Sequence, residues 1–392
     1  MATNPNSLEN IINAEGILVS SDLHGNYNLI GPGLKYSSEK KLVYVVNGDV
    51  VNDESFKDLT HKIGYKTGHE IQLEYFAKNL SEKDLEALLL TQNVKQYGLD
   101  AMISQVPEEY KTQFEEQLKQ VLEYTKKGGF FDRRIKKLSE SFIKEKGAEI
   151  QENTTKIRAL YSVFMDEEAK RFAEELNKYS NVKVLFNKGN HENVFFVENV
   201  KQYLTNQEQI IDLSEYETAL NIKNSKGNNL SIGAMTNCAQ FMPYISEIFS
   251  EEEIGELYSH TFTEKDFKKS LDVFLSHGQV GKPVGVDKAF EVPYLESAKK
   301  ASLEAKLTVE GHIHNKYEGK NEFGKDLVRA AGEEAVIITK NGEKLEKKWI
   351  KLGSGYNGGH SNPVLKTADY YKQRVEELLE EYELMMAQKK AA

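Results

Sequence analysis

The sequence predicts an α/β fold, and two observations carry that reading. Short β-branched apolar runs recur along the chain, each ending in a polar or glycine-containing turn. Amphipathic stretches with helical spacing fill much of the distance between them. Near-continuous apolar runs, as opposed to alternating ones, mark strands of a sheet covered on both faces.

In order, the runs are Gly16 to Ser21, Leu42 to Asn47, Val182 to Asn187, Leu230 to Met235, Val273 to Ser276 and Leu307 to Glu310. A last pair, Ala335 to Thr339 and Lys347 to Leu352, flanks Asn341-Gly342, a strong hairpin signal. Between Asp53 and Val182 the pattern turns helical. Ser81 and Asp84 have the spacing of a capping box and open an amphipathic stretch through Leu90. Pro107 begins another, with Tyr110, Phe114, Leu118, Val121 and Leu122 on one face and Gly128-Gly129 as its stop. Ile135, Leu138 and Phe142 continue helically, as do Ile157, Leu160, Phe164, Phe172 and Leu176.

About four helices between two strands exceed an ordinary connection. Residues 54–180 are therefore expected to form a helical insertion or cap. The catalytic domain would be discontinuous, 1–53 and 181–366. A C-terminal helix is expected over 367–392, with Val375, Leu378, Leu379 and Tyr382 on its apolar side.

The 392 residues, 39% hydrophobic and 29% charged, describe an ordinary globular chain. A net charge of −10 argues against a nonspecific nucleic-acid binder, which needs a basic surface. Cys238 is the only cysteine, so no intrachain disulfide and no thiolate cluster can form. The start, MATNPNSLEN, lacks the basic segment and apolar core of a signal peptide. No apolar stretch approaches the roughly 20 residues that span a bilayer. The expectation is a soluble, cytoplasmic protein.

The strand ends carry the chemistry. Asp22 and His24 follow the first run, Asp49 the second, and Asn190, His191 and Glu192 the third. His277 ends the run FLSHG, and His312 and His314 follow TVEG. Five of the nine histidines thus lie directly after an apolar strand, a position that a structural histidine has no reason to prefer. Ligands delivered from several strand ends are how open α/β folds build a site. Carboxylate, amide oxygen and imidazole together suit manganese, iron or zinc, whereas an oxygen-only set would suit magnesium or calcium.

Five motifs stand in order: Asp22-x-His24, Gly48-Asp49, Gly189-Asn190-His191-Glu192, His277 and Gly311-His312-Ile313-His314. Together they resemble the calcineurin-like metallophosphoesterase superfamily, and its protein-phosphatase branch in particular. The motifs cover both ends of the chain but not the helical block. The resemblance implies an α/β sandwich of two β-sheets flanked by helices, holding two divalent ions, manganese foremost, with iron or zinc as alternatives. It places Asp22, His24 and His314 on one ion and Asn190, His277 and His312 on the other, with Asp49 bridging. His191 would face the leaving group as general acid or hydrogen-bond donor. The nucleophile would be a water activated by the two ions.

The implied function is hydrolysis of a phosphomonoester, with a phosphoprotein as the favoured substrate. A nucleotide phosphohydrolase or phosphodiesterase is the alternative, since the His312-Ile313-His314 ending is shared with those branches. A phospho-ligand binding module with weak turnover is the alternative of another class. The run WIKLGSG, near Gly353-Ser354, resembles the family's closing strand.

Two departures stand out. Where the phosphatase branch often reads Gly-Asp-x-x-Asp-Arg-Gly, this chain reads Gly48-Asp49-Val50-Val51-Asn52-Asp53-Glu54. Asn52 is then expected to steady His191, or Asp53 through a shifted backbone. Phosphate-clamping arginines are not recognisable among the six arginines, leaving Lys188, Arg329 and the pair Arg133-Arg134 as candidates. His61, His69, His260 and His360 are expected on solvated positions. The Glu-rich C-terminal helix resembles export signals of injected bacterial effectors, which would instead place the protein in a host cell.

Overall fold

The computed structural model describes residues 11–97, 102–103, 106–126, 130–216, 219–236, 243–262, 265, 267, 271–278, 294–321, 323–353 and 366–391. Cys238, Gly128-Gly129, Ser354 and His360 lie outside them, as does the side chain of Asp53. The chain divides into two compact units, Gly64–Arg158 and the remainder, Met1–Ile63 with Ala159–Ala392.

The larger unit holds all thirteen described strands, β1 (Ile11–Asn13), β2 (Ile17–Ser20), β3 (Val43–Asn47), β4 (Val184–Asn187), β5 (Ile210–Asp212), β6 (Leu220–Lys223) and β7 (Asn229–Thr236) among them. The rest are β8 (Val273–His277), β9 (Leu307–Gly311), β10 (Tyr317–Lys320), β11 (Asp326–Arg329), β12 (Glu334–Asn341) and β13 (Lys344–Lys351). They form two mixed sheets, one of seven strands in the order β1-β6-β7-β8-β9-β11-β10, the other of six in the order β13-β12-β2-β3-β4-β5. The architecture is α/β.

The two sheets face each other across one core, to which Ile17, Val19, Val43, Val45 and Leu185 come from the six-stranded sheet and Ile232, Val273, Leu275 and Val309 from the other. β2, β3 and β4 run parallel in the first sheet, and β7, β8 and β9 in the second. Every residue of β2, β3, β4, β8 and β9 is buried, which explains their unbroken apolar texture. Edge strand β13 mixes partly buried with exposed positions instead, Lys344, Lys348 and Lys351 among the exposed ones.

Strands β1, β5, β6, β10 and β11 have only three or four residues each, too short for a periodic signal. The hairpin between β12 and β13 pairs Asn341 with Lys344, so its turn is Gly342-Glu343, one residue later than the Asn-Gly dipeptide.

Helices Asp53–Ile63, Gly68–Asn79, Glu82–Tyr97, Glu108–Lys126 and Phe130–Asn177 follow β3. The Ser81 hydroxyl accepts from the Asp84 amide at 3.2 Å, capping the third of them. The last is one 48-residue helix, not two. The smaller unit has its own core, built from Ile71, Phe76, Ala87, Leu88, Phe131 and Phe142. Ala159 to Leu176 belong to the larger unit, where Leu160, Phe164, Phe172 and Leu176 are buried.

The C-terminal helix spans Ala368–Ala391. Tyr371 and Val375 are buried, but Leu378 is 37% and Tyr382 57% exposed, so the expected apolar side is covered only over its first turns. No described helix is long and apolar enough to cross a membrane.

Candidate metal centre

The site lies at the carboxyl ends of parallel strands from both sheets, not on the rim of one. β2, β3 and β4 deliver Asp22, His24, Asp49 and Asn190; β8 and β9 deliver His277, His312 and His314. Main-chain bonds extend the β2–β3 pairing into the turns: Asp22 N to Gly48 O at 3.1 Å, His24 N to Asp49 O at 2.8 Å, Gly25 N to Val50 O at 2.6 Å. The His312 amide donates to Asp22 Oδ1 at 2.7 Å, tying the second sheet to the first.

Five described non-glycine residues have positive φ, and four are in this cluster: Asp22 (55°), His24 (44°), Asp49 (54°) and His312 (72°). Such a conformation costs of order 1–3 kcal/mol per residue and persists where the surroundings over-determine it, typically at functional sites. The glycines of the motifs permit the close approach. A Cβ on Gly48, whose φ is +83°, would lie 2.2 Å from His277 Nδ1. One on Gly189 would lie 2.1 Å from Asp49 Oδ1.

Two groups of donor atoms could hold ions. Asp22, His24, Asp49 and His314 form one; Asp49, His277 and His312 form the other, and within each the ligand atoms lie within 4.8 Å of one another. Asp49 is common to both. Its Oδ2 lies 3.0 Å from His277 Nε2, 3.7 Å from His191 Nε2, 3.9 Å from His24 Nε2 and 4.0 Å from His312 Nδ1. That oxygen is buried, with the His277 ring its nearest neighbour among the four, and Asp22 Oδ2 is buried and accepts no hydrogen bond.

His277 makes the case for a cation sharpest. Its Nδ1 lies 2.8 Å from the Asn47 carbonyl, which can only accept, so Nδ1 carries the proton. Nε2 then faces two oxygens, Asn190 Oδ1 at 3.2 Å and Asp49 Oδ2 at 3.0 Å. Three acceptors aimed at one another need a positive charge between them, either a second proton on His277 or a metal ion. On the other side the Nε2 atoms of His24 and His314 lie 2.8 Å apart, a hydrogen bond between two rings that also belong to one group of possible metal ligands. The residues present therefore fit a metal centre.

The electrostatics agree. Burial alone would raise Asp49, but His191 and His277 hold its carboxyl well below the usual range. Burial pushes Asp22 up to about 7. It would lower His277 too, yet the Asp49 carboxylate overrides it and lifts the imidazole to about 9. Burial, then His277, lowers His312 to about 4.

Exposure gives the centre an open side. The side chains of Asp22, Asp49 and His277 are fully buried, while those of His312, His191 and His314 are 14%, 19% and 35% exposed. These three histidines bound that side.

The remaining candidates are placed as follows. The Asn52 Oδ1 accepts from the Glu54 amide at 3.0 Å and the Ser55 amide at 3.3 Å, capping helix Asp53–Ile63. Lys188 is buried, its Nζ bound to Asp212 and to Ser214 Oγ at 3.1 Å. Arg329 donates to Glu310 at 2.8 Å, and Arg134 to Asp84 at 2.6 Å. Arg133 lies on an exposed position of the smaller unit. Each of the cations Lys188, Arg329 and Arg134 is thus committed to a carboxylate.

His61 and His69 are exposed, as expected. His260 is not: it is buried, and its Nε2 meets the Gly189 carbonyl at 2.9 Å. Nothing in the local sequence marks it, because the contact joins positions 71 apart. Glu192, whose carboxylate is also fully buried, had a signal in its place within the Gly189–Glu192 motif, but no role followed from sequence alone.

Fold and site define a class: an α/β protein with a buried, two-part carboxylate–imidazole centre fit for metal. No protein-family model and no curated protein matches the sequence. Among solved structures, the chain is similar to the 5'-nucleotidase from Candida albicans SC5314, at 10% identity and a TM-score of 0.30. The match covers 94% of this chain and 58% of that one. A likeness at that level says nothing about chemistry.

Proposed function

We propose that the protein is a metal-dependent phosphoester hydrolase acting on phosphomonoesters, with a phosphoprotein as the preferred substrate. The observation that carries this reading is the fully buried Asp49 carboxylate, ringed by four imidazoles within 4.0 Å and common to both groups of possible metal ligands. Asp22, His24 and His314 would hold one ion and Asn190, His277 and His312 the other, with Asp49 shared. Bound divalent ions supply an activated water and a clamp for the phosphoryl group.

His191, on the open side, would give a proton from its imidazole to the departing oxygen. Its Nε2 lies 3.7 Å from the Asp49 carboxylate, beside the shared ligand. The Gly189-Asn190-His191-Glu192 run and the large inserted unit support the phosphoprotein preference.

One observation favours a second reading, a phospho-ligand binding module with weak turnover. Asn52 stands where a carboxylate would steady the catalytic histidine, and its amide oxygen is given to a helix cap.

A panel of phosphopeptides, nucleotides and phosphodiesters, assayed after metal stripping and reloading with manganese, iron, zinc or magnesium, separates these. Phosphopeptide hydrolysis restored by manganese is expected. Undiminished hydrolysis in a sample shown metal-free by elemental analysis would sink the metal mechanism, and tight binding without turnover would favour the binding module.

A further inference from the structure

We propose that Glu192 is a positioning residue that sets the shared ligand Asp49, by holding the turns after β3 and β4 in one fixed arrangement. The inference rests on the metal-centre reading above. The Glu192 side chain is completely buried. Four main-chain N–H groups donate to its carboxylate: Gly189 at 2.7 Å and Asp49 at 3.1 Å to Oε2, Val50 at 2.7 Å and Val51 at 2.9 Å to Oε1.

Three consecutive amides, from 49 to 51, can converge on one anion only where the chain curls into a nest. The positive φ values of Gly48 and Asp49 make that curl. An anion in the nest stabilises the strained φ of Asp49, and that φ decides where the Asp49 side chain points. Oε2 also bridges the Asp49 amide to the Gly189 amide, so one carboxylate joins the turn that bears Asp49 to the turn that bears Asn190. A second link runs the other way, from the His191 amide to Asp49 Oδ1 at 3.3 Å. Glu192 touches neither candidate ion position; it acts through Asp49.

Glu192→Gln keeps the size of the side chain but turns one acceptor oxygen into a donor that faces N–H groups. Two measurements test the role. Hydrogen exchange at the amides of Asp49, Val50 and Val51 should be slow in the wild-type protein and fast in the variant. Manganese affinity, measured by titration calorimetry on stripped protein, should fall about 10–100-fold, the usual loss when a group that orients a ligand is removed. In an Asp49→Asn background the same change should cost no further affinity, because the ligand it positions is already weakened.

Unchanged affinity, unchanged amide protection, or losses that simply add with Asp49→Asn would overturn the positioning role. Failure of the wild-type protein to bind manganese would overturn the metal centre itself, an outcome distinct from a wild-type that binds and a variant that binds as well. Should Glu192→Gln fold poorly, Glu192→Asp carries the same test: it keeps the charge but falls one methylene short of spanning the four amides.

Discussion

Four imidazoles surround one carboxylate oxygen of Asp49, yet they are not equivalent, and single substitutions should separate them. His191→Ala should lower the rate by roughly 10²–10⁴, the scale of general acid–base catalysis, and leave metal content intact. Asp49→Asn should lower metal occupancy, since it weakens a ligand common to both donor groups. Metal lost with the first change and kept with the second would reverse the assignment. His260 makes a different kind of prediction. Burial, with Lys188 next in weight, lowers its imidazole from 6.5 to about 3. The folded state keeps it neutral where the unfolded chain takes up a proton. Its contribution to stability is therefore complete above pH 6.5 and declines as the pH falls towards 3, by up to about 1.4 kcal/mol per unit. In chelator, urea midpoints between pH 7 and 4 should fall more steeply for the wild type than for His260→Gln, which can still donate to the Gly189 carbonyl. Parallel curves would refute this.

Among the elements, the 48-residue helix Phe130–Asn177 matters most to any truncation. It begins in the smaller unit and ends in the larger, and from Ala159 onward it contributes Leu160, Phe164, Phe172 and Leu176 to the larger unit's buried residues. Cutting at Asn177 would remove that core. Joining Ile63 to Ala159 by a flexible linker would spare it, and every candidate ligand lies in the part retained. The trimmed protein should fold, bind manganese with wild-type affinity and hydrolyse a small aryl phosphate. If it also loses discrimination among phosphopeptides, substrate selection belongs to the removed unit. Loss of metal binding in a folded trimmed protein would contradict this division.

At the scale of the whole molecule, two sheets are held together partly by a site of buried carboxylates and imidazoles. Asp22 and Asp49 are completely buried there. Groups drawn from both sheets converge there, so an ion would be bound only by the folded chain. Its binding must then stabilise the fold, by about 2.7 kcal/mol when the ion is at a hundred times its dissociation constant. A rise of several degrees in Tm on adding manganese to stripped protein is the expected result. An unchanged Tm across manganese, iron and zinc would argue against a metal-bound native state.

The central strands and the residues after them were legible because burial on both faces leaves an unbroken apolar run, and the turn that follows carries its chemistry within a few positions. Asp22-x-His24 and Gly189-Asn190-His191-Glu192 are local in this sense. The short strands β1, β5, β6, β10 and β11 were not, because three or four residues give no period and their pairing is decided by neighbours far along the chain. The same holds within the site. Sequence by itself determined which side chains stand at the strand ends. Only the tertiary structure decided that two sheets share the site, that His260 is buried against Gly189, that Lys188, Arg329 and Arg134 are bound by Asp212, Glu310 and Asp84, and that Glu192 grips two turns at once. Hydrogen bonds and ion pairs form between atoms that come within about 3 Å in space. Across gaps such as the 19 residues from Glu310 to Arg329 or the 143 from Asp49 to Glu192, no local pattern records which atoms those will be.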